Sequence, residues 1–465
     1  RRSDRIYDAL DNAASGLERF LATDHYVSMP GTGSADETIQ RAVNAASAGH
    51  TIYVEAGTYA ENVTVNKDLT LLGPNAGINP NTGTRVAEAI VVPAVNDLND
   101  GRVFDLTADG ITIDGFTVNG DNPLVSGGTA LNGADINATA GIASGTYSGT
   151  DGNNNLLITN NILKNFDNDL SSTAAIYGNG SQTVAKTGNV ISNNKIDNSN
   201  IWAIIAEANF YADITGNVIT KANRGILTDG FWLAGTPVSI SNNTISYYKR
   251  GITLNNYWGA TSLFTVSNNT IQPETSGNNE DGGAGAATPN RGIAVWSMYN
   301  TVGGVNLTDN TITGAYYGEE LWNNAPGKVT QTGGTITNAN VGIYLPTNQS
   351  SWGNAGYGSN ASVTAVTITN PTTDGVYLQD NSSGAGASID FTLTNAFVTG
   401  GVNGIHADGD EITAEIHDNS ITGASAKAID ASAYTGATAL DAECNWYGVT
   451  AASAVAARIS GNVDY

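Results

Sequence analysis

Cysteine is nearly absent. Cys444 stands alone, so no disulfide can form within the chain and stability must come from packing. A lone thiol of this kind reads as a small core residue near the C-terminal end. Positive charge is also scarce: 19 Lys and Arg face 43 Asp and Glu, for a formal net charge of −24. That balance excludes a nucleic-acid-binding face, which needs a basic surface, and it disfavours anionic membranes. No apolar run approaches the ~18 residues that span a bilayer. Residues 1–24 are amphipathic rather than apolar, so no signal peptide is present and the chain reads as a mature or excised piece. There is no P-loop, and no nucleotide-binding glycine motif sits between a strand and a helix. The four histidines, His25, His50, His406 and His417, share no metal-ligand spacing and each reads as a lone surface residue.

Glycine is abundant at 55 residues, asparagine is frequent, and 40% of residues are apolar. This is a turn-rich composition with enough apolar content to fill a core. One short phrase recurs: Asn189-Val190-Ile191, Asn217-Val218-Ile219, Asn243-Thr244-Ile245, Asn269-Thr270-Ile271 and Asn310-Thr311-Ile312, the first four spaced by 28, 26 and 26 residues. A period of this size predicts a solenoid. A second phrase, Gly225-Ile226, Gly251-Ile252 and Gly292-Ile293, is followed by apolar residues at alternate positions, as strands require. Asparagine at the same turn of every coil can bond the backbone and the amide of the next coil. Asn395, Asn419-Ser420-Ile421 and Asn445-Trp446-Tyr447 carry the period almost to the end.

These repeats resemble the right-handed parallel β-helix of the pectin-lyase-like superfamily, over roughly residue 34 to the C-terminus. The resemblance implies an all-β fold, a right-handed parallel β-helix solenoid with an N-terminal helical cap. Two regions are expected: residues 1–33, an amphipathic helix and linker, and residues 34–465, the solenoid. The helix over 5–21 presents Ile6, Leu10, Leu17 and Leu21 on one face. Ser34-Ala35-Asp36-Glu37 reads as a capping box that starts the end-covering helix, about residues 35–48. Stretches 119–155, 272–290 and 346–361 exceed a coil and predict loops on the flank, where function tends to sit.

Aligning coils on the Gly-Ile phrase places Arg224, Arg250, Arg291 and Tyr317 just before the glycine. Asp229, Asn255, Trp296 and Trp322 lie four residues after it, and Glu207 holds the matching place in the preceding coil. Parallel coils lie about 4.8 Å apart, so equivalent positions form columns on one face. The candidate binding residues are Glu207, Arg224, Asp229, Arg250, Trp258, Arg291, Trp296, Tyr317, Glu320 and Trp322. Exposed rings can stack on sugar faces, while arginine and carboxylate bind hydroxyls or uronates. The aromatics beside these columns, which include Trp202, Phe210, Tyr211 and Phe231, are expected to line the same groove. The structural alternative stays open: each arginine pairs with a nearby carboxylate, and the aromatics pack beneath the loops.

The functional expectation is a secreted or cell-surface module, extracellular in location, with adhesin-type recognition of a polysaccharide or surface glycan. Flanking domains of a longer polypeptide are expected. Neither nucleic acid nor membrane insertion is. One alternative is a polysaccharide lyase or glycoside hydrolase acting in the aromatic and arginine groove. The resemblance implies a basic residue for the lyase route, here Lys249, Arg250 or Arg291, and paired carboxylates for hydrolysis, here Glu207, Asp229, Glu319 or Glu320. A further alternative is a purely structural stalk or fibre unit. No catalytic residue is assigned and no metal or other cofactor is expected. Calcium is the one ion with oxygen-rich segments to hold it, Glu280-Asp281 and Asp408-Gly409-Asp410-Glu411.

Overall fold

The computed structural model describes residues 23–31, 33, 37–146, 151–167, 174–256, 263–274, 289–298, 303–347, 358–381 and 387–465. The amphipathic helix expected over 5–21 lies outside them, as do Ser34 to Asp36. The chain falls into two compact units, residues 1–206 with 210–222, and residues 207–209 with 223–465. Each is a stack of short parallel strands, the parallel β-helix fold of the superfamily the sequence resembles. No helix among the described residues is long and apolar enough to cross a membrane.

In the first unit one ladder runs through Asp24–Val27, His50–Val54, Leu69–Leu72, Thr112–Asp114, Leu157–Thr159, Lys186–Ser192 and Phe210–Thr215. A second face stacks Gly57–Ala60, Ala89–Val92, Thr117–Asn119 and Ile162–Phe166. The long stretch 119–155 is more than a flank loop. It contains an antiparallel hairpin, Thr129–Leu131 with Ala134–Ile136, and then a buried strand, Ala138–Ser144, that pairs with Asp97–Leu106 and Ala174–Asn179.

The helix Ile39–Ala45 is shorter than the expected residues 35–48, and Thr38 at its start makes no side-chain cap. Its free ends are satisfied from a neighbouring coil instead. The Glu61 carboxylate accepts the Ile39 and Gln40 amides at 2.9 and 3.0 Å. The Lys67 ammonium donates to the carbonyls of Val43, Asn44 and Ala46. An acid at the N-terminus and a base at the C-terminus both match the helix dipole. Glu37 accepts the Gly31 amide at 3.1 Å.

The second unit stacks Val238–Ser241, Leu263–Ser267, Gly304–Thr308, Val329–Thr332, Ser359–Thr364, Ile389–Thr394 and Ile412–His417 in one ladder. The strands carrying the asparagine phrase form another, in which Ile245, Ile271, Ile312, Ile336, Ile368, Val398 and Ile421 stand in register and are fully buried. Each such side chain contributes roughly 1.5–3 kcal/mol by leaving water.

The asparagines do what the repeat implies. Asn269 Oδ1 accepts the amide and side-chain Nδ2 of Asn243, both at 3.0 Å, while its own Nδ2 donates to Ile240 O and to Asn310 Oδ1. In the first unit the same ladder joins Asn161, Asn194 and Asn217. Asn189 is therefore not a member of it. Its strand lies in the other ladder, where Ile191 pairs with Ile214. The residue preceding each true ladder asparagine is left-handed, as at Asn160, Asn193, Gly216, Asn242, Asn268 and Asp309. Cys444 occupies this turn position at φ 62° and is exposed, which corrects the expectation of a core thiol.

The Gly-Ile phrase has a steric cause. A Cβ on Gly251, Gly292, Gly318, Gly342 or Gly375 would lie 2.4–2.6 Å from the carbonyl oxygen of the next coil. After Gly318 the inward position holds Glu319 rather than isoleucine, in register with Ile293 and Ile343. Glu319 thus points into the core and is only 1% exposed, so it is no surface carboxylate. Gln331, inward from the opposite ladder, donates Nε2 to Glu319 Oε1 at 3.0 Å. Burial raises the Glu319 pKa from 4.5 to about 8.

Two predictions follow from these interior contacts. Asn269→Ala strands two buried backbone groups, at roughly 1–3 kcal/mol each. The melting temperature should drop by several degrees, whereas an outward Thr311→Ala control should barely move it. For Glu319, the folded carboxyl keeps its proton up to about pH 8 while the unfolded one loses it near 4.5. The unfolded state then binds fewer protons, and this group lowers stability as pH rises from about 4.5 to 8. Glu319→Gln should therefore raise the melting temperature at pH 8 and leave it nearly unchanged at pH 4.5. A shift of equal size at both pH values would refute the buried neutral acid.

Candidate functional site

The site is built by register. On the outward face of the second unit, Arg250 pairs with Arg291 and Arg291 with Tyr317, while Asn255 pairs with Trp296 and Trp296 with Trp322. The backbone extends the second column. The amides of Ala208, Gly230, Asn256 and Ser297 donate to the carbonyls of Asp229, Asn255, Trp296 and Trp322 in turn. Glu207 therefore precedes Asp229 in that column, as the coil alignment implies. Arg224 precedes Gly225, whose Cβ direction meets Gly251 O, and so lies one coil before Arg250. Trp258 lies outside the described residues, as do Tyr257 and Tyr299.

Between these columns a third carries Ala294, Glu320, Tyr344, Tyr377, His406 and Asp430. Arg291, Trp296, Tyr317, Glu320 and Trp322 meet around a pocket of about 490 Å³, closed further by Pro289, Tyr344, Pro346 and Asn381. Glu320 is its fixed point, 6% exposed. One oxygen, Oε2, accepts from Arg291 Nε at 2.5 Å and from Trp296 Nε1 at 2.8 Å. Arg291 Nη1 also donates to Pro289 O at 2.8 Å. Trp296 and Trp322 meet edge to face at 6.1 Å, and the Arg250 guanidinium lies 4.5 Å from the Trp296 ring centre. Both tryptophans are partly exposed. The arginine–carboxylate pairing and the exposed aromatic wall, posed as alternatives by the sequence, coexist in one network.

The rest of the third column is a pile of rings. Tyr317, reaching over from the arginine column, stacks on Tyr344 at 4.3 Å, and Tyr377 stacks on His406 at 4.5 Å. Rings stacked on each other have spent their faces and offer a ligand mainly edges and hydroxyls. Burial raises the Tyr344 and Tyr377 phenols.

Along the second column from the tryptophans lies a carboxylate pair. Burial and the neighbouring Glu207 charge raise the Asp229 pKa from 3.8 to about 7, against hydrogen bonds from Asn255 and the Gly230 amide. A carboxyl group that keeps its proton near neutral pH can serve as a general acid. Lys249 sits beside Arg250 in the strand Thr244–Asn255 and does not line the pocket.

Several expectations need correction. Trp202, Phe210, Tyr211 and Phe231 are buried and cannot meet a ligand. The described histidines are not alone: His25 bonds His50 at 2.9 Å, and both His406 and His417 sit beside aspartates, Asp374 at 3.6 Å and Asp441 at 3.3 Å. Among the described residues no group of three or more His, Cys, Asp or Glu is arranged to hold a metal ion. In the 408–411 segment, the amides of Asp410 and Glu411 donate to Asp380. Glu280-Asp281 lies outside the described residues. Sequence reading missed Tyr344, Pro346, Pro289 and Asn381. Tyr344 could have been found by counting two residues past Gly342, the place Glu320 holds after Gly318.

No protein-family model matches the chain, and no curated protein matches it. Solved structures give distant likenesses. The catalytic domain of a GH87 alpha-1,3-glucanase in complex with tetrasaccharides has 13% identity and a TM-score of 0.42, over 96% of this chain and 68% of that one. DFA-IIIase from Arthrobacter chlorophenolicus A6 in complex with GF2 has 13% identity and a TM-score of 0.31, over 86% of this chain and 94% of that one. Likenesses this remote bear on neither the activity nor the substrate of the present chain.

Proposed function

We propose that the second unit binds a polysaccharide in the Trp296–Trp322 pocket and hydrolyses it, the chain being an extracellular glycan-degrading enzyme. The observation that carries the reading is the pocket itself. Its partly exposed indoles and arginine surround a carboxylate held in one orientation by Arg291 and Trp296, a combination suited to sugar C–H faces and hydroxyls. Cleavage is preferred to adhesin-type binding because of Asp229. A carboxyl group that is half protonated near neutral pH, beside the second carboxylate of Glu207, suits acid–base work and serves no purpose in simple adhesion. Asp229 lies two coils from Trp296, about 9.6 Å along the stack, so a chain gripped by the tryptophans would reach it.

In this scheme Asp229 donates its proton to the glycosidic oxygen as its bond to the anomeric carbon breaks, and Glu207 takes a proton from the water that adds to that carbon. The lyase route is less favoured, because Arg291 is engaged by Glu320 and Arg250 lies over Trp296. The net charge of −24 suits a dispersed extracellular protein. The helix Ile39–Ala45 is assigned to cover the first coil, whose strands it contacts.

A panel of pectin, alginate, glycosaminoglycans and neutral glucans should release reducing ends from at least one polymer, without the ultraviolet absorbance of unsaturated products. Asp229→Asn should lower kcat by about 10²–10⁴-fold with binding retained, and the wild-type rate should fall above about pH 7 as Asp229 ionises. Trp296→Ala with Trp322→Ala should weaken binding by the folded protein by about 1–3 kcal/mol, with some loss of melting temperature because both rings are only partly exposed and Trp296 bonds Glu320. Binding without any cleavage would return the adhesin reading, and no binding at all would favour a structural stalk.

A further inference from the structure

A different part of the second unit breaks the pattern of its own column. In the ladder that carries the asparagine phrase, the first outward position after the turn is threonine in five coils, Thr244, Thr270, Thr311, Thr335 and Thr367, held in register. The next three coils place Phe397, Ser420 and Trp446 there. Phe397 is 58% exposed and Trp446 48%. Neither ring packs on another aromatic ring among the described residues. Half-exposed rings add little to coil stacking, and in this column a β-branched polar residue serves the strand well elsewhere. The substitution of two aromatics therefore calls for an external partner.

The surroundings specify its chemistry. The two rings stand two coils apart, about 9.6 Å, with the small Ser420 between them. With Asn395, Ala396, Asp418, Asn419 and Cys444 they border a concavity of about 430 Å³. Asn395 and Asp418 are left-handed turn residues at φ 54° and 59°, both exposed beside the rings. Two apolar platforms separated by about the length of two sugar rings, with hydroxyl, amide and carboxylate groups along one edge, fit a sugar chain lying along the stack. Asp418 can accept hydroxyl protons and repels a uronate.

We propose that Phe397, Ser420 and Trp446 form a second glycan-binding surface, separate from the Trp296–Trp322 pocket, that takes a neutral oligosaccharide with alternate sugar rings over Phe397 and Trp446. Such a surface would hold a polymer to the protein without taking part in cleavage.

Titration calorimetry with cellohexaose, xylohexaose, laminarihexaose and hexagalacturonate tests this, using the Trp296→Ala/Trp322→Ala protein so that binding in the pocket is weakened. At least one neutral hexasaccharide should bind, and hexagalacturonate should not. Adding Trp446→Ala or Phe397→Ala should each weaken binding about tenfold, and the pair should abolish it with the melting temperature unchanged. The same pair in the otherwise wild-type protein should leave cleavage of a soluble oligosaccharide intact, so the two sites fail independently. The proposal is overturned if no neutral hexasaccharide binds, or if binding survives loss of both rings. It is also overturned if sedimentation shows that the rings instead hold two copies of the chain together.

Discussion

Parallel stacking at a fixed spacing of about 4.8 Å is the constraint on which the described structure rests. It makes identical positions in successive coils touch, so every residue choice is judged against its counterpart above and below. Asparagine answers this at the turn, where one amide bonds the backbone of one coil and the side chain of the next. Glycine answers it where the next coil's carbonyl leaves no room for a Cβ. Isoleucine answers it inside, where a continuous column of β-branched side chains is fully buried.

The same geometry governs the outward face. A column can be a binding strip only if its members do not satisfy one another. Tyr344, Tyr377 and His406 pack ring against ring along one column, and Tyr317 stacks on Tyr344 from the neighbouring column, so this strip is mostly internal packing displayed at the surface. Trp296 and Trp322 meet edge to face instead; the Trp296 indole N–H is spent on Glu320 and Arg250 lies over its ring, yet both indoles stay partly exposed. The pocket exists where the stacking habit is interrupted: Arg291 and Glu320 cross-link two coils at the start of the ring pile.

Much of this was legible in residues. The asparagine and glycine phrases defined the coil, and counting from the glycine placed Arg250, Arg291 and Tyr317 in one column and Asn255, Trp296 and Trp322 in another. Where reading failed, the reason was local. Asn189-Val190-Ile191 has the pattern of a ladder asparagine, with a left-handed Gly188 before it, but its strand pairs in the other ladder, and Asn194-Lys195-Ile196 continues the true phrase. Glu319 was grouped with surface acids, although it follows Gly318 just as Ile252 follows Gly251, and parity alone directs it inward. The helix ends were invisible because their partners, Glu61 and Lys67, lie far along the chain. The burial of Trp202 and Phe231 depends on neighbouring coils, which no local pattern reveals.

The spacing of the asparagine ladder has one more implication. Asn243 and Asn269 are 26 residues apart, Asn269 and Asn310 are 41 apart, and both pairs make the same side-chain bond at 3.0 and 2.9 Å. Register is thus indifferent to how much chain intervenes between one turn and the next. A coil can acquire or shed a segment without disturbing its neighbours, because the ladder re-forms at the following asparagine. The rim of the pocket can therefore diverge in length and composition among descendants of this sequence while its floor stays in place. The fold separates what evolution may vary from what stacking must keep.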